Sequence, residues 1–149
     1  MIYYNKIISI IIIASFLSIS VSCNEQKTEN KKVVKIKYSG KPVIKFENNS
    51  YDFGTLEEGE IVECSFKYKN TGTAPLKITN IITDCGCTVP RYDKKAVLPK
   101  ENSKIKVTFD SRGFRNNIYK TITVETNADT SKIVLILTAF IKNNNTLNY

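Results

Sequence analysis

No histidine occurs among the 149 residues. That absence removes Ser-His-Asp and Cys-His catalysis, imidazole metal sites and c-type haem attachment together. Long apolar runs are missing too. The longest, Ile7–Ile19, has 13 residues, and as a helix it reaches about 20 Å against roughly 30 Å of hydrocarbon. Beyond it no 3.6-residue period marks an amphipathic helix. Glycine is scarce, and its six residues fall in turn or linker chemistry rather than inside strand runs. Of four cysteines, Cys23, Cys64, Cys85 and Cys87, only the last two lie close together in sequence.

What is present begins with Lys6, the short apolar run and the small residues Ser20-Val21-Ser22 before Cys23. A charged start, a greasy core and a small-residue exit describe a secretory signal peptide. A cysteine at that point resembles a bacterial lipobox, with Ser20 where Leu is usual, so Cys23 is the expected lipidation site and mature N-terminus. Removing the first 22 residues leaves 127, enough for one domain and not for two. These carry 21 Lys and Arg against 14 Asp and Glu, a formal +7. An exported protein rarely meets nucleic acid, so none is expected as a partner. Acidic headgroups and envelope polysaccharides are the available counter-charges, and a solubilising role for the excess is the simplest reading.

From Asn24 to Lys41 six lysines and two glutamates sit among polar residues. Such a stretch buries too little to offset chain entropy and reads as a flexible tether spanning residues 23–41, at most roughly 60 Å long. Val33–Tyr38 is the one part of it that can form an edge strand. Beyond it, short alternating runs and turn residues take over. Pro42–Phe46 suits an edge strand. Val62, Cys64, Phe66 and Tyr68 share one face. Leu76, Ile78, Ile81 and Ile82 shift phase near Asn80, as a bulge requires. Ile105, Val107 and Phe109 alternate, Ile118–Val124 follows, and Ile133–Ile141 is apolar in both phases, the pattern of a central strand. The expected fold is all-β, an antiparallel immunoglobulin-like sandwich over residues 42–142, with residues 143–149 a disordered tail.

Four patterns in order carry a resemblance: Tyr51-Asp52-Phe53-Gly54-Thr55-Leu56; Phe66–Gly72 with Pro75-Leu76; Asp84-Cys85-Gly86-Cys87-Thr88-Val89-Pro90; and the closing apolar strand. Together they resemble a bacterial envelope family catalogued as domain of unknown function 1573. The resemblance implies a sandwich similar to PapD-like domains, often on secreted or lipid-anchored proteins, and no established activity. This chain departs from the family pattern at Lys100 and near Ala139, where glycine is usual.

Cys85-Gly86-Cys87 is the constellation with chemical potential. Two thiols one residue apart can close a small disulfide or hold a soft metal. Two sulfurs make half a zinc site, and only Asp84 or a second molecule can add ligands. A loop-fixing disulfide or simple packing is therefore the first reading, thiol redox chemistry the second and metal the third, with no firm metal site. Cys64, on the inward face, reads as a reduced core residue; a simple hairpin about Gly72-Thr73 would leave Cys85 about 13 Å too far along the strand to pair with it. Asp52, Asp84 and Asp110 read as structural turn residues. Arg91, Tyr92, Arg112, Phe114 and Arg115 read as exposed loop positions. The expectation is a non-enzymatic, lipid-anchored envelope module without a cofactor. It binds an envelope protein or polysaccharide by edge-strand addition or through loops, on the periplasmic or cell-surface face of the outer membrane.

Overall fold

The computed structural model describes residues 37–142. The leader, Cys23, most of the tether and the closing tail lie outside the described residues, as does most of Val33–Tyr38. Eight strands follow in chain order: β1 Ile44–Phe46, β2 Ser50–Glu57, β3 Ile61–Asn70, β4 Ile78–Thr83, β5 Thr88–Tyr92, β6 Asn102–Asp110, β7 Asn116–Thr126 and β8 Lys132–Lys142. They form two four-stranded sheets, ordered β1-β3-β6-β5 and β2-β8-β7-β4. No helix is present among the described residues.

The period of two decides what lies between the sheets. Phe66, Tyr68, Ile105, Val107 and Phe109 face inward from the first sheet; Ile122, Val124, Leu135, Leu137 and Ile141 answer from the second. Each such side chain, fully removed from water, stabilises the fold by roughly 1.5–3 kcal/mol. Among the described residues the buried side chains gather into two core clusters between the sheets.

Every ladder is antiparallel except one. β2 runs parallel to β8, with Ser50 beside Ile136 and Glu57 beside Lys142. The reason is topological: after β1 the chain crosses from the first sheet to the second and comes alongside the last strand in the same direction. Gly54 lies within β2, contrary to the expectation that no glycine sits in a strand. Its φ of +69° accompanies a register shift between Asp52 and Thr55, the backbone state a bulge reserves for glycine. β3 and β4 do not form a hairpin, because the turn at Gly72 carries the chain between sheets. The bulge in β4 falls between Ile78 and Asn80, where the phase shift places it. Arg91 and Tyr92 belong to β5 rather than to a loop; Pro90 in the same strand masked its β character.

Buried Asn70 ties one end of the sandwich. Its amide donates to the carbonyls of Ala74 and Val97, 2.9 Å each, and its Oδ1 accepts from the Gly72 N–H at 3.0 Å. The tight turn after Pro99 forms despite the missing glycine, with Lys100 at φ +70° and its N–H donating to the Asn70 carbonyl at 2.8 Å. Ala139, the other departure, points into the core.

Candidate functional site

β4 leaves the second sheet at Thr83 and β5 enters the first at Thr88, so the Cys-Gly-Cys motif forms the crossover between sheets. Cys85 and Cys87 are joined by a disulfide, with Cα atoms 5.3 Å apart. The Cys87 carbonyl accepts from the Asp110 N–H at 3.0 Å, and the Cys85 carbonyl accepts from the Thr83 hydroxyl at 3.2 Å. Gly86 at the tip faces open space. Beside it Asp84 accepts from the Thr121 hydroxyl at 2.6 Å and the Thr121 N–H at 2.9 Å. Those two bonds, with a smaller contribution from Lys120, hold its carboxyl below the usual carboxylate range. Bonded to each other, the two sulfurs offer no thiolate to a metal. Among the described residues no group of three Cys, Asp or Glu gathers at a metal-binding distance.

Cys64 is separate from this pair, buried and unbonded. Burial, and then the Glu63 charge, pushes its thiol up to about 12. The three aspartates do not converge. Asp52 accepts from the Gly54 N–H at 3.0 Å inside the β2 bulge. Asp110 binds the Arg112 guanidinium, which lowers its carboxyl. None faces a second free carboxylate across a pocket, as paired acid–base chemistry requires.

The outer face of the second sheet offers a different kind of site. The both-phase apolar pattern of β8 predicts cover on two sides, and here the structure departs from expectation. Among the described residues nothing covers the outer side, and Val134 and Phe140 are 48% and 43% exposed. Register sets Asn117 opposite Phe140 and Tyr119 opposite Thr138, and Tyr119 is 62% exposed. Asp52 and Thr55 from β2 complete a groove of about 450 Å³ with these side chains. Aromatic surface thus lies beside amide, hydroxyl and carboxylate groups on this exposed sheet face. Sequence reasoning missed Tyr119 and Phe140. The signal was there, an aromatic in the polar phase of β7 and a doubly apolar β8, but both read as burial.

Edge-strand addition has little to work with. β1 has three residues, β5 contains Pro90, and β2 and β4 each carry a register shift. Short edges, proline and bulges are the ways sheets avoid pairing with another chain.

The fold recurs in known structures at low identity. A protein of unknown function from Porphyromonas gingivalis W83 superposes with a TM-score of 0.61 at 16% identity, over 73% of this chain and 51% of that one. This chain thus spans about half the length of that protein. The ASH/PapD-like domain 7 of human CEP192 gives 0.58 at 17% identity, covering 74% and 94%. The secreted serine protease VesC from Vibrio cholerae gives 0.52 at 9% identity, over 66% of this chain and 23% of the protease. These likenesses show a PapD-like, immunoglobulin-like sandwich and nothing about activity. No curated protein matches the sequence. A family model matches residues 44–141, more than half of the length, and the chain belongs to the family described as protein of unknown function, DUF1573.

Proposed function

We propose that this protein is an exported, lipid-anchored, non-enzymatic binding module of the bacterial envelope, and that it holds a partner on the outer face of β2-β8-β7-β4. The observation that carries this reading is the aromatic groove around Tyr119 and Phe140, exposed among the described residues, on a sheet whose edges are blunted. A face of this kind, presented by a rigid sheet, suits an envelope protein or polysaccharide. The leader pattern and Cys23 in the sequence support the envelope location. Of the two routes considered from sequence, strand addition is disfavoured by the edges.

Affinity capture from envelope extract with full-length anchored protein tests the reading, run in parallel with a Tyr119→Ala/Phe140→Ala variant. The expected result is a partner retained by the wild type and lost from the variant, with the two unfolding alike. Identical capture by both ends the assignment of this face. Mass spectrometry of the membrane fraction checks the anchor separately: an acylated Cys23 N-terminus is expected, and an intact Met1 rejects export.

A further inference from the structure

The outer face of the first sheet is as cationic as that of the second is aromatic. Inward positions on β3 and β6 are Cys64, Phe66, Tyr68, Ile105 and Val107, so the alternate positions point out. Six of the outward positions across the sheet carry positive side chains: Lys45, Lys67, Lys69, Arg91, Lys104 and Lys106. The register sets them against each other. Lys67 lies opposite Lys104, Lys45 opposite Lys69, and Arg91 opposite Lys106. Like charges placed directly across a ladder destabilise it. Edge protection accounts for Lys45 on β1 and Arg91 on β5 but not for Lys67, Lys69, Lys104 and Lys106, which lie on β3 and β6, the two inner strands of the sheet. Among the described residues the counter-charges are Glu63, which pairs with Lys106 at 3.0 Å, Asp110 at the far end of β6, whose carboxylate is taken up by Arg112, and Glu47 and Asp93 at the rim. A general excess of lysine for solubility has no reason to gather on one face.

We propose that this face is a docking surface for the anionic headgroups of a lipid bilayer. Four strands about 4.8 Å apart make a broad, shallow surface, matched to a plane of charge rather than to one small anion. The choice of a bilayer over a soluble polyanion rests on the anchored reading above. Lipidation at Cys23 keeps the domain within a tether's length of headgroups at all times, and one clustered basic patch then supplies a second membrane signal. With this face on the membrane, the aromatic face of the opposite sheet points away from it, toward a partner.

The test uses the chain from residue 24 to residue 149, which lacks Cys23, so its outcome is independent of acylation. Co-sedimentation is measured with vesicles containing about one-third phosphatidylglycerol and with pure phosphatidylcholine vesicles. Binding to the anionic vesicles alone, weakening as salt rises, is expected. Each cation removed from the face costs about fivefold, so Lys67→Ser/Lys104→Ser binds roughly 25-fold more weakly. A Lys77→Ser/Lys132→Ser control makes the same change in net charge away from this face and stays within about twofold of wild type. Relieving a like-charge pair leaves the first variant at least as resistant to urea as wild type, which separates lost binding from lost folding. Equal weakening by both variants, or equal binding to neutral vesicles, overturns the proposal. Binding to dextran sulfate without binding to vesicles also overturns it and redirects the face to an acidic polysaccharide.

Discussion

Single residues at one end of the sandwich carry more than their size suggests. Asn70 reaches two carbonyls and the Gly72 N–H from a fully buried position. Asn70→Ala strands those groups away from water and is expected to cost about 2–4 kcal/mol, read from urea midpoints. Lys100 supports the adjoining turn in a left-handed backbone state that glycine adopts freely. Lys100→Gly therefore raises stability by about 1 kcal/mol in the same measurement. Cys64 gives a pH signature. Its folded thiol, pushed up to about 12, stays protonated where the unfolded thiol ionises from about 9. The unfolded state then holds fewer protons, so stability is complete below pH 9 and falls as pH rises toward 12, by up to about 1.4 kcal/mol per pH unit. Denaturation curves across that window are expected to show this fall in wild type beyond any in Cys64→Ala.

At the scale of elements, the glycines divide by what surrounds them. A Cβ at Gly54 meets open space, whereas one at Gly72 collides with the backbone of Lys41, Pro42 and Val43. Gly72→Ala must push the entering segment away from the turn and is expected to cost about 2–3 kcal/mol, with thermal unfolding as the check. The strands that alternate cleanly, β3, β6 and β7, were legible from sequence because one buried face gives a period of two. β2 was not, since Asp52-Phe53-Gly54 has turn chemistry and the strand exists only by pairing in parallel with β8, where Ser50 meets Ile136 far along the chain. β5 was hidden by Pro90 in the same way. The crossover cysteines were legible as a motif, but their position between sheets was not, because a hairpin and an inter-sheet turn share the same local residues. The two outer faces escaped notice for a common reason. Which lysines share a face depends on the register between strands, and whether an apolar phase is covered depends on what packs outside it.

The sandwich of residues 37–142 presents two opposed surfaces on one core, one basic and one aromatic, and its entry and exit lie at opposite ends. Lys41 enters beside Thr73, whose N–H donates to its carbonyl at 3.0 Å, while Lys142 leaves beside Glu57. The parallel ladder joins β2 to β8 at six register positions. Tension applied between those two ends first detaches the three-residue β1 from β3, then pulls the start of β2 one way and the end of β8 the other, along the strands rather than across them. The ladder is loaded in shear, and its bonds resist together instead of unzipping one by one. Stretching the chain between attachment points at Lys41 and Lys142 in a single-molecule instrument is expected to give one dominant rupture after the small release of β1. Attachment through residues flanking the β7–β8 turn, which peels the hairpin, is expected to yield at a markedly lower force.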